Sequence, residues 1–141
     1  MAKYRSAGNT VVKVTDSGGT LRDLSSYVDT VTGLGKEVDA LDVTSFADTA
    51  EKIIAGIEKS QEWTLSGHFD DTATTGPDAV LAPLVGTAGS LEFYPIGTTS
   101  GRRKISGSFL CTRYTVSGEV KGRIEYECLF KLNGTITVGT A

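Results

Sequence analysis

The sequence has 141 residues, of which 39% are hydrophobic and 22% charged, a composition typical of one folded domain rather than a disordered chain. The net charge of −3 argues against a protein that grips DNA through its phosphates, because such proteins are normally basic. No apolar run approaches the roughly 20 residues of a membrane span, and the N-terminus lacks the apolar core of a signal peptide, so we expect one domain over residues 1–141, made in the cytosol.

The first quarter of the chain predicts short strands joined by tight turns. Residues 1–9 are expected to form a polar N-terminal arm, and the alternating segment 11–15 a strand. Residues 16–19, Asp-Ser-Gly-Gly, predict a turn from which 20–24 return as the second arm of a hairpin. Another short strand is expected within 27–33.

Residues 34–60 break this pattern, because they alternate poorly and carry many charges. Asp48 precedes Glu51 by three residues, and three isoleucines follow. This arrangement fits either one short capped helix or an extended loop with apolar anchors. We favour a long loop with a helical turn at most. A loop of this length inside a compact domain is usually functional or mobile.

Residues 61–138 are expected to supply the main sheet and one helix. In 62–69, apolar and small residues alternate with polar ones, which predicts a strand with one buried face. Pro77 fits the first position of a short helix over 78–84, and Gly86 fits its end. The side chains expected to pack that helix on the sheet are Ala79, Val80, Leu81 and Leu84.

Three further strands are predicted over 91–96, 105–117 and 122–133. In the second, the apolar positions change parity near Phe109-Leu110, which predicts a β-bulge there. Beyond the bulge, the inward side chains should be Leu110, Tyr114 and Val116. In the third strand, the inward side chains should be Ile124, Tyr126, Cys128, Phe130 and Leu132.

These elements predict a mainly β protein. The content of 17 Gly and only 3 Pro, with abundant Thr, Val and Ser, also favours strands joined by tight turns. The expected fold is an antiparallel β-sandwich or partly open barrel, with one short α-helix packed on it and a long stacking loop.

The sequence offers little material for catalysis or metal binding. Its one histidine, His68, falls on the polar face of a strand, and no G-x-S-x-G motif is present. A zinc site would need Cys111 and Cys128 to converge with a carboxylate, whereas we expect both to be free, buried thiols. The acidic pair Asp70-Asp71 lacks the spacing of a calcium loop. We therefore predict no enzyme activity and no cofactor.

An ordered series of segments carries a family resemblance. The segment Leu41-Asp42-Val43-Thr44-Ser45-Phe46 is followed by the apolar-Gly-apolar element around Gly56, and then by a strand ending in Ser66-Gly67. A short helix, the strand 91–95 and a final strand running into 132–137 come next. Over roughly residues 10–138, this series resembles the major tail tube proteins of long-tailed (siphovirus-type) bacteriophages.

The resemblance implies a virion structural protein that forms hexameric rings, stacked head to tail around a tape-measure protein. It implies partners at the ends of the tube, namely a tail terminator and distal tail or baseplate proteins. DNA would pass transiently and non-specifically through the emptied lumen, and this chain would not insert in a membrane. The location would be the virion tail, with assembly in the host cytoplasm.

A tube needs an interface that does not close along its axis, in which one surface meets a different surface on the next ring. Residues 36–71 hold 9 acidic and 3 basic side chains, whereas 102–131 hold 7 basic and 3 acidic. We hypothesise that the acidic loop docks near basic residues of a neighbouring subunit, with Arg102, Arg103 and Lys104 as candidates. The alternative is a solvated hairpin tip.

The apolar side chains of the loop are too many for a free loop. They either fold back on the core of their own subunit or are buried against another subunit, and we favour the second. The candidate interface residues in the loop are Leu41, Asp42, Val43, Thr44, Ser45, Phe46, Ile53, Ile54 and Ile57.

A channel that lets DNA slide should repel or ignore phosphates. The polar faces of two predicted strands are candidates to line it, with an outer surface as the alternative. The lumen candidates are Glu62, Thr64 and Ser66 on one strand and Glu125 and Glu127 on the other.

Three other functions remain as alternatives. Another tail ring component, such as a terminator or a baseplate or distal tail protein, would share the fold but would not polymerise indefinitely. A carbohydrate-binding β-sandwich would need an exposed aromatic platform, whereas Trp63 alternates with core residues. An enzyme is disfavoured by the single histidine.

Overall fold

A computed structural model describes residues 8–141, so nearly all of the predicted N-terminal arm lies outside the described residues. Within that range the chain forms ten strands and one α-helix. Two 3₁₀ turns cover Ser25–Tyr27 and Ala82–Leu84. The elements in chain order are β1 (Val11–Thr15), β2 (Leu21–Asp23), β3 (Val28–Thr32), β4 (Val38–Asp42), β5 (Ile53–Glu58), β6 (Glu62–His68), α1 (Pro77–Leu81), β7 (Ala88–Tyr94), β8 (Arg103–Ser117), β9 (Glu125–Leu132) and β10 (Thr137–Thr140).

Eight strands form one antiparallel sheet in the order β2-β1-β7-β8-β9-β6-β3, with β10 paired to the first residues of β8. The strands near the two ends of this order come close together. Val12 of β1 and Val28 and Val31 of β3 line one cavity of about 410 Å³. The sheet therefore curls around its core without closing, which confirms the expected antiparallel, partly open β fold.

The core is centred on three stacked aromatic side chains from neighbouring strands. Trp63 of β6 stacks on Phe130 of β9 with 4.6 Å between ring centroids, and Phe109 of β8 meets Phe130 edge-on at 4.5 Å. All three are fully buried. Alternation along β6 and β9 places Trp63 and Phe130 on the inner face, as the sequence predicts.

The helix is shorter than predicted, because Pro83 follows it and the last turn tightens to 3₁₀ geometry. Val80, Leu81 and Leu84 are buried against the sheet, as expected, whereas Ala79 is only partly buried. The hydroxyl of Tyr114 donates to Asp78 Oδ1 at 3.1 Å and ties the helix to β8. No helix among residues 8–141 is long and apolar enough to cross a membrane.

The β-bulge in β8 lies between Cys111 and Arg113, two residues later than predicted. Phe109 and Cys111 both point inward and are fully buried, so parity changes only after them. Leu110, predicted to point inward, therefore lies on the outer face and is 41% exposed. Tyr114 and Val116 pair with the inward-facing Cys128 and Tyr126 and therefore lie on the inner face, as predicted, although Val116 is 46% exposed near the end of the strand.

The inward residues of β9 follow the predicted alternation, with one exception. Tyr126, Cys128, Phe130 and Leu132 are buried, whereas Ile124 is 55% exposed. Ile124 precedes the strand at the end of the sheet, and its carbonyl accepts a hydrogen bond from Phe69 N at 3.0 Å.

The two cysteines are free and buried, as predicted. Their sulfur atoms lie 3.4 Å apart on the neighbouring strands β8 and β9. Both thiols therefore act as small apolar side chains in the core.

Residues 34–60 form a β-hairpin, and the prediction of an irregular loop or capped helix was wrong. Leu41 pairs with Ile54 and Asp42 with Ile53. β-branched residues pack well on a pleated strand, which favours this pairing over a helix. Asp48 does not cap a helix, because its carboxylate accepts hydrogen bonds within the turn of the hairpin.

Candidate assembly interface

Strands β4 and β5 form a two-stranded sheet of their own, which we call the hairpin arm (residues 38–58). The last residue pair between β3 and β6 is Thr32 with Thr64. Beyond this end of the main sheet, the segment after β3 leads into the arm and the segment before β6 leads out of it. Lys59 N donates to the Glu37 carbonyl at 2.7 Å and closes the base of the arm. The arm therefore extends from one end of the subunit.

Both faces of the hairpin arm carry apolar side chains. Cross-strand partners share a face, so Leu41 and Ile54 lie on one side and Ala40 and Ala55 on the other. Ile53, the partner of Asp42, is 65% exposed, and Ile54 is 53% exposed. An isolated two-stranded ribbon is marginally stable in water, and an apolar surface of this kind marks an interaction site.

The apex of the arm is held in one conformation by a network around Asp48. This carboxylate accepts from Ser45 N at 2.8 Å and pairs with Lys52 Nζ at 2.7 Å. The hydrogen bond from Lys52, followed by that from Ser45 N, lowers the pKa of Asp48. Phe46 stands within this turn with its ring fully exposed. The apex thus presents an aromatic side chain on an ordered turn.

All nine candidate interface residues of the predicted loop are exposed, and none joins the core of its own subunit. The alternative in which these side chains fold back on the parent core is therefore wrong. Val38, which is 50% exposed, belongs to the same surface but was missed by the sequence analysis. Its alternation with Ala40 along β4 is the signal that could have identified it.

The basic candidates lie at the start of β8, on the side of the hairpin arm. β10 pairs with this part of β8, and just before β10 the backbone N of Ile136 donates to Glu58 Oε1 of the arm at 3.4 Å. Lys104 Nζ already binds Glu92 Oε1 at 2.6 Å, and this hydrogen bond raises the pKa of Lys104. Arg103 is exposed. The three candidates are therefore adjacent in the chain, and Lys104 is held by an ion pair within its own subunit.

The lumen candidates come together on the outer face of β6 and β9, where Ser66 lies opposite Glu127. This face is not purely acidic. Arg113 Nη2 lies 2.7 Å from Glu127 Oε1, and Arg123 Nε lies 2.8 Å from Glu125 Oε1. Neither basic partner was predicted from the sequence. A comparison of the charged residues on adjacent strands would have suggested both.

A second exposed apolar surface lies at the opposite end of the sheet, in the loop between β8 and β9. We call residues 118–124 the distal tip. Val120 is fully exposed there, beside the half-exposed Ile124 and Val116. The tip also borders a cleft of about 310 Å³. This surface was missed, although a valine between Gly118 and Gly122 in a turn is itself an unusual placement.

The outer face also carries His68, which is exposed and has its Nδ1 2.6 Å from Arg123 Nη1. Among residues 8–141, no group of three or more His, Cys, Asp or Glu side chains is placed to hold a metal ion.

No family model and no curated protein matches the chain, but its fold occurs in several solved structures. A chain from the tail of an empty gene transfer agent particle with C6 symmetry is 16% identical, with 96% of this chain and 99% of that chain covered and a TM-score of 0.72. A chain from the sheath/tube terminator of an extracellular contractile injection system is 13% identical, with 99% of each covered and a TM-score of 0.71. A chain from the SPP1 tail tube is 10% identical, with 96% and 78% covered and a TM-score of 0.67. At these identities, the likeness establishes a shared fold over nearly the whole chain.

Proposed function

We propose that this protein is the repeating subunit of a phage-type tail tube, a structural protein without catalytic function. The observation that carries the proposal is the hairpin arm, which extends from one end of the subunit with apolar side chains on both faces. Such an arm suits insertion between other subunits. The shared fold with chains from tail and tube structures supports the same function.

We further propose that six subunits form each ring and that rings stack head to tail. The C6 symmetry of the gene transfer agent tail supports this number. β2 and β3 lie at the two ends of the sheet order, where backbone groups are available for pairing with a neighbouring chain. Lateral contacts within a ring and axial contacts through the arm would then use different surfaces.

The arm would supply the axial interface through its nine exposed candidate residues. Each arm meets a different surface on the next ring, so the contact does not close and the stack can grow indefinitely. Burial of the isoleucines would contribute most of the affinity, and the surrounding charges would fix the register.

Reversal of Arg102 and Arg103 to Glu is expected to slow tube growth at low salt, because an acidic arm would then approach an acidic surface. Lys104 is left unchanged, since it already binds Glu92 within the chain. Growth is measured by light scattering at two salt concentrations, and the difference should shrink at high salt. Lys36→Glu, at an exposed site in the base of the arm, serves as a charge control. Equal growth of the reversed and wild-type proteins at low salt would contradict the expectation.

The outer face of β6 and β9 is our candidate for the wall of the lumen, with Glu62, Thr64, Ser66, Glu125 and Glu127 facing the bore. The ion pairs of Glu125 and Glu127 make this face nearly neutral, which suits a channel that neither holds nor strongly repels phosphate. DNA would pass through non-specifically, after a tape-measure protein has left the lumen. A ring structure with this face on the outside would contradict the assignment.

The remaining partners are those of a tube with two ends: a tail terminator, and distal tail or baseplate proteins. The protein would reside in the virion tail and assemble in the host cytoplasm.

A second candidate function is a terminating or baseplate ring, because similar chains occur in structures of a sheath/tube terminator, a tube-terminating cap and a baseplate. Such a ring would not stack without limit.

Negative-stain electron microscopy of the concentrated protein, with and without a tail-tip initiation complex, tests the proposal. We expect hollow tubes whose length increases with protein concentration. Single rings that never stack, even from the initiation complex, would favour the terminating ring. Dispersed subunits in both samples would overturn both functions.

A further inference from the structure

The distal tip and the hairpin arm lie at opposite ends of the main sheet. In β6, Glu62 is paired with Lys131 near the base of the arm, whereas His68 is paired with Glu125 next to the tip. Seven residues of extended strand span about 20 Å. The apex of an arm that extends beyond Glu62 therefore points away from the tip of its own chain and can reach only that of another.

We propose that the distal tip is the socket that receives the apex of the hairpin arm from a subunit in the adjacent ring. This inference rests on the proposed function and assigns the surface that the arm meets. The occupant is a second copy of this chain, and the central contact joins Phe46 of one copy to Val120 and Ile124 of the other.

The apolar surfaces of apex and tip match in kind. Phe46 and Val120 are both fully exposed, and Ile124 is 55% exposed. The exposed valine and isoleucine side chains themselves offer apolar surface to one aromatic ring, whereas the neighbouring cleft of about 310 Å³ is lined by glycines and by Ser117, Glu119, Arg123 and Glu125. Neither surface is covered by another part of the described chain, so each would gain from burial against the other.

The charges are also complementary. Residues 36–59, the arm and its base, contain 6 acidic and 3 basic side chains. At the tip, Arg123 is already neutralised by Asp29 and Glu125, so the cation offered to the arm is Lys121. Lys121 is exposed and lies next to Val120. Opposite charges around a small apolar centre would set the orientation of the apex on the tip.

This pairing satisfies the geometry of an open stack. Apex and tip are different surfaces at opposite ends of the same subunit, so each ring offers six sockets on one side and six arms on the other, given the proposed hexamer. The contact repeats along the axis without closing. The basic residues at the start of β8 lie on the arm side of the sheet, so the arm that approaches them would be that of a neighbouring subunit in the same ring, and they are not at this socket.

Site-directed cross-linking of assembled tubes tests the socket. One preparation carries Phe46→Cys and the other Val120→Cys, and the two are mixed with an equal amount of wild-type protein, which supports growth despite the lost Phe46 ring. The resulting tubes are treated with a short thiol-reactive cross-linker. We expect a covalent dimer on denaturing gels from the mixture, and no dimer from either variant alone. The native Cys111 and Cys128 are buried and give a low background, which wild-type tubes measure.

A mixture of Phe46→Cys with Leu21→Cys, at an exposed site on β2, is the matched control and should give no dimer. Tubes that form normally but yield no Phe46–Val120 dimer would overturn the socket while leaving the proposed function intact. Failure of the wild-type protein to form tubes, even from an initiation complex, would overturn the proposed function and the socket with it.

A second measurement does not depend on cross-linking. Val120→Asp should slow tube growth about tenfold or more, because a carboxylate would then be buried against an aromatic ring. The fold should be unaffected, since Val120 is fully exposed, and circular dichroism checks this. Growth equal to that of wild type would contradict the proposal.

Discussion

Replacement of Ile54 by Asp is expected to leave the subunit folded and to abolish tube growth. Ile54 is 53% exposed on the hairpin arm and contributes nothing to the core of its own chain, so unfolding measurements should change little. In a stacked tube the same position would be buried against another subunit. A carboxylate there would lose its hydration without gaining a partner, which costs far more than loss of the isoleucine contact alone.

The measurement combines urea unfolding of the free subunit with electron microscopy of concentrated samples. Thr49→Asp is the matched control, because it adds the same charge to an exposed position of the same arm without removing an apolar side chain. Normal growth of Ile54→Asp would exclude this part of the arm from the interface. Unfolding of the variant would show that the arm is needed for folding.

Replacement of Phe130 by Ala is expected to destabilise the subunit by about 3–5 kcal/mol, the usual range for loss of a fully buried phenylalanine. Phe130 lies between Trp63, stacked at 4.6 Å, and Phe109, in edge contact at 4.5 Å. The cavity left behind would separate both neighbouring rings from their partner. Few single domains retain a cooperative fold with ample stability after such a loss.

Urea denaturation monitored by tryptophan fluorescence measures the effect, because the only Trp of the chain packs directly on Phe130. Phe46→Ala is the matched control: it is the same substitution at a fully exposed ring, and it should change the free energy of unfolding by less than about 0.5 kcal/mol. It should nevertheless impair stacking. A destabilisation of Phe130→Ala as small as that of Phe46→Ala would contradict the assigned core.

The sequence predicts the main sheet well wherever strict alternation coincides with aromatic residues. In β6 and β9 the buried positions are those that a period of two selects, since each strand has one covered face. The bulge in β8 was placed two residues early, because Leu110 is apolar but points outward. Hydrophobicity alone cannot separate a core residue from an apolar residue on the exposed face of the sheet.

The same ambiguity explains the error over the hairpin arm. A strand with apolar residues on both faces shows no alternation. The sequence of β5, which contains three isoleucines, therefore does not predict a strand. Pairing between β4 and β5 is set by contacts across the turn, which a single-strand pattern does not contain. The candidate residues of the arm could nevertheless be selected from the sequence, because the apolar character of several of them conflicts with a solvated loop. Their role in an interface stays a prediction.

The distal tip was overlooked for the opposite reason. Ile124 fits the alternation of the strand that follows it, and parity alone assigns it to the core. Ile124 lies before the start of β9, at the end of the sheet, and is 55% exposed there. The charge balance of the β6–β9 face was likewise hidden, since Arg113 pairs with Glu127 across strands and Arg123 pairs with Asp29 of β3 as well as with the nearby Glu125.

The base of the hairpin arm has a mechanical consequence. The arm is a separate sheet, connected to the main one by the short segments 33–37 and 59–61, and the first of these contains Gly33 and Gly35. The base is also tied to β9, because Ser60 Oγ donates to the Leu132 carbonyl and Leu132 N donates to the Gln61 carbonyl. If such arms bridge successive rings, each arm would therefore move together with the sheet of its own subunit. When such a stack bends, whole rings would tilt relative to one another, and the bore of each ring would stay round.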